Sequence, residues 1–194
     1  MAKTVKRGCG LGDSSSSMGE PPAGLAGGTG AAPCAGCGAM LVPADGPLHR
    51  YMVSSPACWR HFGAILAREY SDPAWMAAHR LTVDSYAVQH PGETSPQTAQ
   101  SVAIHLMSLH AVLERGLDHA AARDLIVQHA DHRRYAWLEP PAQRGSVTAA
   151  DVALDADAAS HLAEVERWAA SAWSAWRGHH AQIEAWAREV RRGY

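Results

Sequence analysis

The chain has 194 residues, 47% of them hydrophobic, enough for one domain with a real core and a short appendage. Charged residues make up 19% and the net charge is −2 with histidine neutral, so there is no basic footprint for nucleic acid or an anionic membrane. No apolar run approaches the roughly 20 residues that span a bilayer, and no apolar leader segment follows Lys3, Lys6 and Arg7.

Residues 1–31 are rich in Gly, Ser, Ala and Pro, including the run Ser14 to Ser17. Such a segment buries too little apolar area to offset its chain entropy and is expected to be a disordered tail, with Cys9 a free thiol in it. Residues 32–56 form a small head punctuated by Gly36, Gly38, Pro43, Gly46, Pro47 and Pro56. Short β segments are expected around Met40–Val42 and His49–Val53, joined by the turn Ala44-Asp45-Gly46-Pro47. Residues 57–194 read as a helical body. Ser55-Pro56 is an N-cap followed by proline in the first turn, opening a helix that runs to about Tyr70. Asp72-Pro73 starts a second helix that ends at about Gln89, before Pro91-Gly92. Ser95-Pro96 opens a third, which carries Val102, Leu106, Leu109 and Leu113 until Gly116. A fourth spans about Asp118 to Ala130, and Thr148 to Ala153 looks like one capped turn. From Asp157 to about Arg192 the pattern is helical again, with Gly178 the expected break and Arg188, Arg191 and Arg192 complementing the final helix dipole. The fold class is therefore mainly α, a helical-bundle body with a small head of treble-clef or zinc-knuckle type.

The head carries Cys34-x2-Cys37 and, twenty residues on, Cys58-x2-His61. Thiolates suit zinc, whose four ligands complete a tetrahedron without any preference from d electrons. A Cys-x2-Cys turn can aim two sulfurs at one ion, and Gly36 and Gly38 allow positive φ and leave room beside the sulfurs. Cys58 lies in the first turn of a helix, where free amides and the dipole favour a thiolate. His61 follows three residues later on the same face. The spacing thus points to a structural Zn2+ site made by Cys34, Cys37, Cys58 and His61. His49 in the expected hairpin competes for the fourth position. A head this small has little core, so the ion would supply folding free energy.

The body holds most of the twelve histidines. His79, Val83, Tyr86 and His90 share one helix face, yet His79 and His90 would stand about 16 Å apart at about 1.5 Å per residue, too far to share one ion. His105 falls in the apolar stripe of the third helix, and His180 in that of the last helices. Imidazoles in such stripes need partners, and Asp84, Gln89, Gln100 and Tyr86 are available. Two readings follow: a polar pocket of His79, Asp84, His90, His105 and His180, even a second metal site, or a set of core histidines held by polar neighbours, which is favoured. Trp168, Trp173, Trp176 and Trp186 read as core aromatics.

Several runs carry a family likeness: Cys34-Ala-Gly-Cys37-Gly, Asp45-Gly46-Pro47 with His49-Arg50-Tyr51, Ser55-Pro56-Ala-Cys58-Trp59, and Leu66-Ala-Arg68-Glu69-Tyr70. The most specific is His79-Arg-Leu-Thr-Val-Asp84-Ser-Tyr86-Ala-Val-Gln89-His90-Pro91-Gly92. Gln100-Ser101 with His105-Leu-Met-Ser-Leu, and Trp137-Leu-Glu139-Pro140-Pro141, complete it. Through these the stretch from Cys34 to Trp176 resembles an uncharacterised bacterial family, domain of unknown function 5946. In that family the position of His61 is not usually histidine whereas His49 fits, so the resemblance implies His49 as the fourth ligand. It implies no activity.

The expected role is a non-catalytic binding or regulatory module of the cytoplasm, stabilised by zinc, with a protein or small-molecule partner and neither nucleic acid nor membrane. The alternative is a metal-dependent hydrolase or transferase that uses the histidine-rich pocket. No phosphate loop, nucleophile elbow or dinucleotide fingerprint is present in the sequence.

Overall fold

A computed structural model of the chain describes residues 30–130 and 135–189. Nearly all of the expected tail, with Cys9, Arg191 and Arg192, lies outside the described residues.

The head is small. Strand β1 (Ala32–Pro33) pairs antiparallel with β2 (Met40–Leu41), with Ala32 opposite Leu41 and Pro33 opposite Met40. This corrects the expected hairpin. The reversal occurs between Cys34 and Ala39 rather than at Ala44–Pro47. The segment 49–53 forms no strand and makes one isolated bridge, Met52 to Pro91. The tight Cys-x2-Cys turn brings its own flanks within pairing distance, whereas the 43–47 stretch holds two prolines that cannot donate to a ladder.

Six α-helices follow among the described residues: α1 (Pro56–Glu69), α2 (Met76–Gln89), α3 (Pro96–Leu113), α4 (His119–Ala130), α5 (Ala158–Ala175) and α6 (His180–Glu189). Their starts obey the expected chemistry. Ser55 caps α1 by accepting from the Cys58 amide, Ser95 caps α3 by accepting from Thr98, and Asp157 caps α5 by accepting from Ala159 and Ser160. The short 3-10 turn Ala149–Asp151 is closed by a reciprocal Thr148–Asp151 capping box. A second short turn, Arg177–His179, separates α5 from α6 where Gly178 marked the break.

Helix α2 is central. It packs against α1, α3 and α5, while α3 also meets α4 and α6. Every residue from Asp84 to His90 is buried. Trp168, Trp173, Trp176 and Trp186 are all buried in the core. The indoles of Trp168 and Trp176 fasten α5 and its C-terminal end to the end of α2, donating to Gln89 Oε1 (2.8 Å) and to the Val88 carbonyl (3.2 Å). Cys34, Cys37, Ala39 and Cys58 belong to the same apolar core as the helices. The head is therefore set into the body, against the C-terminal end of α2.

Candidate metal centre

Three separate stretches of chain deliver one cluster. Cys34 and Cys37 sit on the turn between β1 and β2, closed by hydrogen bonds from the Cys34 amide to the Ala39 carbonyl (2.8 Å) and from the Gly38 amide to the Cys34 carbonyl (2.9 Å). Gly38 has φ +78°, which a side chain rarely adopts. Gly36 serves a different purpose. A Cβ there would lie 2.2 Å from the Val53 carbonyl oxygen and 2.3 Å from Cδ2 of His90, so the turn can lie on the imidazole only as glycine. Cys58 stands in the first turn of α1. His90 is the residue after the last turn of α2.

The ligand atoms of Cys34, Cys37, Cys58 and His90 all lie within 4.8 Å of one another, and all four residues are buried. The Cys37 and Cys58 sulfurs are 3.8 Å apart. His90 Nε2 is 3.6 Å from the Cys34 sulfur and 3.4 Å from that of Cys58. Metal–sulfur bonds of about 2.3 Å and a metal–nitrogen bond of about 2.0 Å at tetrahedral angles give edges of about 3.8 Å and 3.5 Å. The four donors thus have the spacing of a tetrahedral Cys3His site and could hold a metal ion.

The surroundings prepare the donors. His90 Nδ1–H donates to the Tyr86 carbonyl at 2.7 Å, one turn back on α2. That bond places the proton on Nδ1 and leaves the Nε2 lone pair facing the sulfurs. Tyr86 and Phe62 stack behind, with the Tyr86 ring 3.9 Å from His90 and 3.8 Å from Phe62. The Ser55 amide donates to the Cys34 sulfur at 3.3 Å while its hydroxyl caps α1. Hydrogen bonds from Cys37 and Cys58, outweighing burial, hold the Cys34 thiol far below the ordinary range, and His90 and Ser55 add to them. Cys37 is pushed up by its place beside that thiolate and by Cys58. Cys58 is pushed up to about 11, first by Cys34 and also by burial. A cation among these crowded sulfurs would replace their protons.

The fourth position goes to His90, which corrects both expectations for it. His49 lies on the surface loop, where its Nδ1 accepts from the Tyr51 amide (3.2 Å) and its ring tilts on Trp59. His61 on α1 is not part of the cluster, and its Nε2 is buried without a hydrogen-bond partner among the described residues. Spacing along one helix could not find a ligand that arrives from another. The signal available was His90-Pro91-Gly92, a histidine at a forced helix end.

Of the remaining residues of the expected polar pocket, Asp84 and His105 pair directly, whereas His79 and His180 have other partners. Asp84, fully buried, accepts from His105 Nδ1 (2.7 Å), Ser108 Oγ, and both Nε (2.9 Å) and Nη2 of Arg80. His79 Nδ1 pairs with Glu69 at 2.8 Å. His180 stacks on Trp173 at 3.7 Å, with its Nε2 on the Trp173 carbonyl. Glu69 was missed by the sequence reading. It is 0% exposed and accepts from His79, from His161 Nε2 (3.0 Å) and from Thr82. An acid at the last position of a helix carries no burial signal, because the imidazole from α5 is 92 positions away.

The chain belongs to DUF5946, a family of unknown function, whose pattern matches residues 32–177. No curated protein and no solved structure matched it.

Proposed function

We propose that the protein is a zinc-stabilised, non-catalytic binding or regulatory module of the cytoplasm. The observation that carries this reading is the closed donor set: three buried sulfurs and one buried imidazole nitrogen, spaced as the edges of a tetrahedron, with the histidine tautomer set by a backbone carbonyl. Thiolate-rich donors favour zinc over magnesium or calcium. Four protein ligands leave no position for water or substrate, which is the mark of a structural rather than a catalytic ion. Such an ion would clamp the β1–β2 turn and α1 onto the end of α2. A reducing compartment suits the reading, because oxidised cysteines cannot ligate. No helix among the described residues is long and apolar enough to cross a membrane.

Elemental analysis of the purified protein tests this. One zinc per chain is expected in wild type and in His105→Ala, and none in Cys34→Ser. A wild-type protein without zinc would overturn the reading, and a second ion lost only in His105→Ala would move the argument to catalysis.

A further inference from the structure

Beside the metal centre lies an open groove of about 1080 Å³. One wall is the Cys34–Gly38 turn, the second is the loop 141–146, and the third is the C-terminal end of α5 with Arg177 and Gly178. The lining sets basic and hydroxyl side chains beside the Cys34 and Cys37 turn. It holds two guanidinium groups, Arg144 and Arg177, with the hydroxyl-bearing Ser146, Ser171 and Ser174, and no carboxylate. Among the described residues neither arginine forms an ion pair. Arg144 donates from Nη1 to the Gln89 carbonyl at 3.1 Å, which anchors the side chain.

The loop that presents Arg144 is rigidly held. Gln89 Nε2 donates to the carbonyls of Arg144 (2.7 Å) and Val147 (2.8 Å), and Ser171 Oγ accepts from the amides of Ser146 and Val147. Two planar cations and three hydroxyl groups that line one groove suit the oxygens of a phosphate or carboxylate group. Arg144 is anchored on the Gln89 carbonyl, whereas Arg177 is exposed and open to a ligand.

We propose that this groove binds a small anionic molecule through a phosphate or carboxylate group, with Arg177 as its main contact and Arg144 as its inner one. The assignment rests on the reading of the chain as a binding module and supplies the class of its ligand. Because the Cys34–Gly38 turn is one wall, the ion that orders this turn also shapes the groove.

The test is calorimetric titration of the full-length, zinc-loaded protein with inorganic phosphate and, in parallel, with acetate at low ionic strength. Zinc content and the circular dichroism of every sample are measured alongside. Millimolar binding of one anion per chain is expected. Arg177→Ala should weaken it about tenfold, the worth of one charge-assisted hydrogen bond. Arg144→Gln should weaken it less. Arg188→Ala, whose guanidinium pairs with Glu184 on α6, should leave it unchanged. Phosphate alone, acetate alone, or both name the favoured group. No heat with either anion in folded, zinc-loaded protein overturns the groove assignment while leaving the zinc staple intact. Binding that survives Arg177→Ala also overturns it; Arg177 would then serve only the carbonyls at the end of α5. Absence of zinc in wild type is a separate failure, that of the module reading itself.

Discussion

The two ends of α2 carry imidazoles of the same helix into opposite chemistry. At the C-terminal end His90 meets three sulfurs, and a carbonyl one turn back holds its proton away from them. Toward the N-terminal end His79 meets Glu69, and His105 from α3 meets Asp84; both carboxylates are fully buried. The sulfur cluster gathers four ligand atoms that could hold one cation. The buried carboxylates are surrounded by donors: Glu69 accepts from two imidazoles and a hydroxyl, while Asp84 accepts from a guanidinium, an imidazole and a hydroxyl. A buried carboxylate surrounded by donors is a structural solution that requires no ion. The partner, and not the spacing of histidines along a helix, decides which kind of site forms.

Metal removal should break this contrast most strongly. Chelation, or His90→Ala, is expected to abolish zinc binding and lower stability by several kcal/mol, since structural zinc contributes to folding directly. His49→Ala and His61→Ala should each retain one zinc per chain. Elemental analysis with thermal unfolding checks all four conditions, and zinc loss in His49→Ala with retention in His90→Ala would reassign the fourth ligand. Glu69→Gln comes next. It presents an amide to groups that donate to a carboxylate and should cost about 3 kcal/mol. Urea denaturation should show this loss with zinc content unchanged, because the carboxylate end of the body is independent of the sulfurs. Gly36→Ala should cost about 2 kcal/mol by overpacking. Unlike Glu69→Gln it should also weaken zinc retention in a chelator competition, since the added carbon meets His90 and the Val53 carbonyl.

Much of this architecture was legible in the sequence. Ser55-Pro56, Ser95-Pro96, Asp157 and Gly178 announced helix starts and a break because capping acts over three or four residues. Cys34, Cys37 and Cys58 could be grouped because thiols in this spacing have few other uses. The fourth donor could not be read. His90 reaches the sulfurs only after α2 folds back on the head, a contact across 56 positions from Cys34. Glu69 and His161 were hidden for the same reason. Their pairing depends on how α1 and α5 pack, which no periodicity encodes. The strand pairing was misplaced because a turn rich in proline and glycine looks like a hairpin whether or not its flanks have partners.

The smallest expected effect sharpens the carboxylate side of the comparison by supplying a histidine that lacks a carboxylate partner. His110 on α3 is 8% exposed, its Nδ1 is buried without a hydrogen-bond partner among the described residues, and its ring lies against Trp173. Burial holds its pKa below the ordinary 6.5; Arg115 and His180 act in the same direction, and Glu184 and Glu114 oppose them. The folded state therefore takes up this proton less readily than the unfolded chain. Its penalty is absent well above pH 6.5, and stability falls as pH drops through the unfolded value toward the lower folded one. Removing the group removes that dependence. In His110→Leu, stability measured by urea denaturation should gain on wild type steadily from about pH 7.5 to about pH 5.5, the span over which free imidazole titrates. A stability difference that stays constant with pH would show that His110 finds a proton-accepting partner in the folded protein, as His79 and His105 do.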